Sequence, residues 1–397
     1  MTTVLDSAAP SRLGRLRRIT AGGRFIPEID GFRLLAILVV LNEHIYSQVA
    51  RACGVSWPNW LMMPDYETRG GTRGVFLFFT ISGFILGLPF ARRALLHPPE
   101  IERRPFSYRT YLLRRVTRLE PPYVLTLVLR LVLILVVFHS DVRELAPHFI
   151  ASLFYVHNIV FGTMSPVSPP TWSLEVEVQF YLLAPLLASA FLIRHSAFRR
   201  AFLILVTFSL AFGVQIFFAD DQRITLSLAG NLQYFTAGLL LCDLYVTRPL
   251  RGVPTYVWDL LGIAVLAPLL WNSSRWTLIL FPFGALMVYF AGLQGYCVRR
   301  LFATSLVSIA GGMCYSVYLT HGTVLAVVAT ALAHSHITDL PIVMQRLVVM
   351  GTSLSAVFLV GTAFFALVER PCMDPLWPRK LFATLCGHYS AVPAERW

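Results

Sequence analysis

Ten apolar runs, at roughly 32–50, 75–90, 121–139, 175–193, 201–218, 225–246, 257–271, 276–292, 305–333 and 343–368, account for most of this 397-residue chain. A helix needs about 20 residues to cross the hydrocarbon core, and lipid offers no partner to an unpaired backbone N–H or C=O. Runs of that length therefore predict an all-α polytopic membrane protein of about ten transmembrane helices. A composition of 56% hydrophobic and only 14% charged residues fits that class.

The net charge of +12 would suggest a polyanionic partner in a soluble protein. Here the charges mark topology instead, and no nucleic-acid partner is expected. With the N-terminus cytoplasmic, 24 of the 33 Lys and Arg residues fall in cytoplasmic segments and six in outer ones. The positive-inside rule then puts both termini in the cytoplasm. Residues 1–31 read as a basic cytoplasmic tail without a cleavable signal peptide. Residues 32–370 read as the membrane domain and residues 371–397 as a second cytoplasmic tail.

One further apolar run, PHFIASLFYVHNIVFG at 147–162, carries Pro147, His148, His157 and Asn158. Counting it as a crossing would move Arg194, Arg199 and Arg200 outside. It is read as a re-entrant or interfacial segment returning to the outer side. The six cysteines show no paired spacing, so neither a disulfide framework nor a metal site is expected.

Polar groups inside apolar spans are costly and mark functional sites. The first span holds Asp30 and Arg33 on one helix face and Asn42, Glu43 and His44 deeper in. Arg33 and His44 are eleven residues apart, about 16 Å along a helix, or half the bilayer core. A neutral imidazole is a suitable general base, and Glu43 beside it could tune it; interhelical hydrogen bonding by His44 is the plainer alternative. Arg115 and Arg118 lie one turn apart just before Pro121 and Pro122, in a stretch with eight arginines and no lysine. Two guanidinium forks on one face suit a phosphate ligand, although each arginine singly would serve as an anchor to anionic lipid.

Farther on, Trp172, Ser173, Glu175 and Glu177 open the fourth span. Glu177 needs a partner at this depth, either a buried cation or protonated His44, whereas Glu175 reads as a helix-capping carboxylate. Tyr315, Tyr318 and His321 share a long span, with Gly311 and Gly312 allowing close helix approach. Glu369 and Arg370 read as a structural ion pair at the cytoplasmic edge.

In this order, the segments resemble the acyltransferase-3 family of integral membrane acyltransferases, from about residue 27 to 377. Arg33 and His44 match its arginine–ten residues–histidine motif, VFLFFTISGFIL at 75–86 its phenylalanine-rich serine–glycine segment, and Arg115 and Arg118 its arginine-x-x-arginine. Trp172, Ser173, Leu174 and Glu177 match the tryptophan–serine–leucine segment, and Tyr315, Tyr318 and His321 the tyrosine-rich segment ending in histidine. Cys314 stands where the family usually has serine, and Asn42-Glu43 is more polar than the usual apolar pair. Some members carry a C-terminal extracytoplasmic hydrolase-like domain, which is not expected in the short stretch that follows Trp377 here.

The resemblance implies transfer of an acyl group, commonly acetyl, from cytoplasmic acyl-CoA to a hydroxyl of a carbohydrate, cell-envelope glycan or secondary metabolite, in a bacterial inner membrane. Acyl-CoA would be a donor substrate, with no cofactor held permanently. His44, Glu43 and Glu177 become the expected catalytic groups and Arg33, Arg115 and Arg118 the donor-binding ones. Trp172, Ser173, Tyr315, Tyr318 and His321 would bind or orient the acceptor. A proton-coupled transporter or exporter is the alternative from another class, but it should show repeat symmetry between its halves, and none is seen. A non-catalytic binding scaffold would have no reason to bury His44 opposite a cationic cluster.

Overall fold

The computed structural model describes residues 26–57, 72–96, 107–137, 139–247, 255–272, 274–374 and 377. The expected N-terminal tail up to Arg24, and the C-terminal tail past Asp374 apart from Trp377, lie outside them. The described residues form helices α1 (Pro27–His44), α2 (Thr72–Leu95), α3 (Tyr108–Val137), α4 (Val142–Leu153), α5 (His157–Phe161), α6 (Trp172–Leu187), α7 (Ser196–Phe217) and α8 (Gln222–Thr225). There follow α9 (Leu228–Thr247), α10 (Thr255–Trp271), α11 (Arg275–Gln294), α12 (Cys297–Phe302), α13 (Ser305–Gly312), α14 (Cys314–Ala333), α15 (Ile342–Phe364) and α16 (Arg370–Cys372). No strand occurs among the described residues.

Eight of the helical segments are long and apolar enough to cross a membrane, and α10 is a shorter apolar helix. With α1, whose acidic and basic residues set it apart from the others, these correspond to the ten expected spans. Burial sorts them. The apolar windows of α2, α9 and α11 are 67–72% buried within the protein, against 22–28% for α3, α7 and α15. The first group builds the interior, and the second turns its apolar surface outward, as lipid-facing helices do.

Helix packing is closest where side chains are absent. A Cβ on Gly311 would lie 1.7 Å from the Asp30 carbonyl oxygen, so only glycine lets α13 meet α1 there. That contact fixes α1 near Arg33.

Three local departures from the sequence expectation bear on the site. First, α3 starts at Tyr108 and continues through Pro121 and Pro122 rather than beginning at them. Pro121 has no N–H for the carbonyl one turn earlier, and Trp377 Nε1 donates to that Thr117 oxygen at 3.0 Å. Second, α1 passes directly into a π-helical stretch, Ile45–Ala50, immediately after His44. A second π-helical stretch, Phe365–Glu369, ends α15. Third, the expected helix α13–α14 is interrupted at Met313.

The 147–162 segment is a re-entrant hairpin. Helix α4 has 12 residues, about 18 Å, too short for a bilayer core of about 30 Å. It runs back along α3 as far as the middle of that helix, where the Tyr123 hydroxyl donates to the Ser152 carbonyl at 2.8 Å and the Tyr123 and Tyr155 rings stack at 4.6 Å. The chain then turns through Tyr155 at φ 57°, a left-handed conformation uncommon for a large side chain. It returns past α5 to Val167, whose carbonyl accepts from Arg130 Nε at 2.9 Å, nearer the end of α3. The returning limb thus lies toward the C-terminal end of α3, the end from which α4 departs.

Candidate active site

An open cavity, about 1100 Å³ of empty space when the part open to solvent is included, runs between α1, α2, α3, α6 and the α13–α14 break. Seven of the eleven residues expected at the site line it: Arg33, Arg115, Arg118, Ser173, Glu177, Tyr315 and Tyr318. The remaining four, Glu43, His44, Trp172 and His321, stand behind or beside its wall.

The three arginines are held differently. Arg33 forms an ion pair with the buried Asp30 at 2.6 Å, one helical turn away. Arg115 lies over the rings of Tyr181 at 5.8 Å and Tyr111 at 6.0 Å, so aromatic faces hold its guanidinium at the cavity. Arg118 meets Glu369 at 3.5 Å. Glu369 is fully buried and also accepts from Ser316 N at 3.1 Å and Ser316 Oγ at 2.6 Å. The expected Glu369–Arg370 pair is thereby corrected: the π-helical turn that ends α15 points the carboxylate inward, to α3 and α14.

At the other end of the cavity, α6 and α14 are joined through hydroxyls. Tyr318 donates to the Pro170 carbonyl at 2.6 Å, and the Ser173 and Tyr318 hydroxyls are 2.6 Å apart. Tyr315 donates to the Leu119 carbonyl at 2.8 Å, which ties α14 to α3. The Trp172 ring packs edge-on against Phe79 at 6.2 Å, and its carbonyl accepts from Asn158 Nδ2 at 3.1 Å, so it braces the hairpin.

Beyond Tyr318 lies a histidine pair. The rings of His44 and His321 are 4.9 Å apart, and that of Tyr318 is 5.4 Å from His321. His321 is fully buried, and its Nδ1 bonds the Tyr318 carbonyl at 2.5 Å. A carbonyl can only accept, so Nδ1 carries the proton and Nε2 is the bare nitrogen. That Nε2 is buried without a hydrogen-bond partner. His44 is half-buried, and Gln48 Nε2 meets its Nδ1 at 3.3 Å, leaving the far ring nitrogen available.

Neither glutamate partners His44 as the sequence suggested. The Glu177 carboxylate accepts from Ser82 Oγ at 2.5 Å. Glu43 has Arg73 as the charged group acting on it; Arg73 is buried and also donates to the Leu270 carbonyl at 2.5 Å. Successive positions on a helix point about 100° apart, so Glu43 and His44 face different neighbours. Glu175 does cap a helix, but that of the hairpin: Asn158 N in α5 donates to its Oε2 at 2.9 Å.

Sequence reasoning did not single out Ser82, Tyr155, Arg73 or Gln48 as site residues. Gln48 is four residues from His44, a spacing that puts it on the same face and could have flagged it. Among the described residues no group of three or more His, Cys, Asp or Glu side chains gathers where it could hold a metal ion.

Residues 26–368 match the family described as an acyltransferase domain. The chain belongs to this family. Among its relatives is the peptidoglycan O-acetyltransferase OatA of Listeria monocytogenes, 31% identical over 45% of this chain and 26% of that protein. A putative O-acetyltransferase of Staphylococcus aureus strain COL is 24% identical over 80% of this chain and 52% of its own length. The O-acetyltransferase OatA of S. aureus strain NCTC 8325 is 24% identical over 75% and 50%. The chain thus spans about half the length, or less, of these curated relatives. No solved structure matches.

Proposed function

We propose that this chain is an integral membrane O-acyltransferase, moving an acetyl group from cytoplasmic acyl-CoA to a hydroxyl of a carbohydrate or cell-envelope glycan, with a secondary-metabolite hydroxyl as the other acceptor class. The single observation that supports this best is the cavity itself, with three arginines at one end and, at the other, hydroxyls that adjoin a histidine pair. The names of the relatives, O-acetyltransferases all, favour acetyl and, in one case, peptidoglycan. The arginine-rich segments face the cytoplasm on the positive-inside rule, in what we take to be a bacterial inner membrane.

In this reading Arg115 and Arg118 receive the CoA phosphates as guanidinium forks. The pantetheine arm runs inward past Arg33, whose Asp30 partner holds it in place. His44 takes the proton from the acceptor hydroxyl, with its ring fixed by Gln48. Tyr318, Ser173 and His321 orient that hydroxyl, Tyr315 and Trp172 keep α14 and the hairpin in register, and Glu43 with Arg73 holds the outer part of α1 against α2. Acyl-CoA is a consumed substrate and leaves as CoA.

The test is release of CoA from acetyl-CoA by the purified chain in lipid vesicles, with and without an acceptor such as a soluble peptidoglycan fragment. Acceptor-dependent CoA release with acetylated product supports the reading. A chain that binds no acetyl-CoA would contradict it.

A further inference from the structure

The donor cavity contains a hydroxyl–carboxylate pair that direct transfer does not use. Ser82 Oγ donates to Glu177 Oε1 at 2.5 Å, and both residues line the cavity that holds Arg33, Arg115 and Arg118. We propose that Ser82 is an acyl-carrying nucleophile, with Glu177 as its base, so that the acyl group rests on Ser82 between acyl-CoA and the acceptor. The inference rests on the donor-site reading above and extends it to a second covalent step.

Geometry supports a carrier. Ser82 and Glu177 line the cavity in which the thioester docks, whereas His44 stands behind the Tyr318 and Ser173 wall. A one-step transfer needs CoA thioester and acceptor bound side by side at one time. A carrier splits this into two reactions with different partners. Ser82 is also held on rigid backbone. The next residue, Gly83, abuts Phe235 so closely that a Cβ there would lie 2.3 Å from its carbonyl oxygen. Helices α2 and α9 thus touch backbone to backbone beside Ser82, which fixes the position of the hydroxyl as precise covalent chemistry requires. Arg33 lines the same cavity, and its charge interacts with Glu177. It supplies a fixed cation for the oxyanion formed when the thioester carbonyl is attacked.

In the first half-reaction, Glu177 takes the Ser82 proton and Oγ bonds to the acyl carbon. The C–S bond breaks, the sulfur receives that proton from Glu177, and CoA leaves as the free thiol. In the second half, the acceptor oxygen bonds to the same carbon, the bond from Ser82 Oγ breaks, and the proton lost by the acceptor replaces the one Ser82 gave to CoA. No oxidant, reductant or further reactant is needed.

The experiment exposes purified wild-type, Ser82→Ala and Ser82→Cys proteins to radiolabelled acetyl-CoA without acceptor, with rapid acid quench. Acetyl-CoA affinity and covalent label are measured on the same samples, and the label is mapped by peptide mass spectrometry. Wild-type protein should carry a hydroxylamine-labile acetyl group on Ser82 and release CoA in a burst. Ser82→Ala should bind acetyl-CoA with near-wild-type affinity, carry no label and lose about 10²–10⁴-fold in acceptor turnover, on the scale of lost general acid–base chemistry. Ser82→Cys should regain the label as a thioester. Label on another residue, such as His44 or Cys314, would overturn the proposal, as would tight binding with no label at any time, or wild-type turnover by Ser82→Ala. Failure of the wild-type protein to bind acetyl-CoA would instead undo the donor-site reading on which the proposal rests.

Discussion

At the scale of single residues, the three arginines of the cavity do unlike work. Arg115 is held by aromatic faces and neutralises no buried carboxylate that the geometry shows, whereas Arg118 meets the fully buried Glu369. Removing one member of a buried ion pair strands the other, at a cost of about 3–5 kcal/mol when both are fully buried. Arg118 is a quarter exposed, so its loss should cost less than that. Arg115→Ala is therefore expected to weaken acetyl-CoA binding and its salt dependence while leaving thermal stability in detergent nearly unchanged. Arg118→Ala should lower both affinity and stability, and Arg118→Ala combined with Glu369→Gln should recover stability but not affinity. Melting curves beside binding isotherms check this; equal stability of the two single variants would sink it. These pairings were hidden from sequence reading for a simple reason. Arg118 and Glu369 are 251 positions apart and Ser82 and Glu177 are 95 apart, and nothing local encodes which helix faces which. Single polar residues in apolar runs were visible, and their partners were not.

At the scale of elements, the apolar runs were legible because lipid imposes one rule on every span, and the structure places helices at all ten. What sequence pattern could not show is where helices deviate. The π-helical stretches after His44 and before Arg370 leave the apolar pattern intact, and α3 runs through two prolines because Trp377, far along the chain, serves a carbonyl the first of them frees. That 147–162 is not a membrane-length helix was legible from its prolines and histidines, but the hairpin's reach was not: Tyr155 at its apex lines the cavity. Close helix contact at Gly311 was also legible, and it gives a sharp prediction. Gly311→Val should destabilise the protein by at least the 1–3 kcal/mol typical of overpacking, since no side chain fits against the Asp30 carbonyl. Thermal unfolding in detergent reads this; an unchanged midpoint would mean that α1 and α13 are not packed as described.

At the scale of the whole molecule, the proposed function requires the cavity to open toward the side that holds acyl-CoA. The charge distribution predicts an orientation for the chain, and the hairpin supplies a check that charge counting cannot. Single cysteines at 194–200 should react with a membrane-impermeant reagent only from the cytoplasm, and those at 140–146 and 163–170 only from outside. Opposite labelling of the last two windows would mean that the hairpin crosses. If the proposed donor site and His44 act at different depths, the two should separate on mutation. The most direct measurement is acetyl-CoA affinity and acceptor turnover on one preparation of His44→Ala protein. Affinity should stay within about threefold of wild type and turnover fall by about 10²–10⁴-fold, the loss expected for a missing general base. Folded His44→Ala protein with near-normal turnover would contradict that role, and would return the histidine to helix packing.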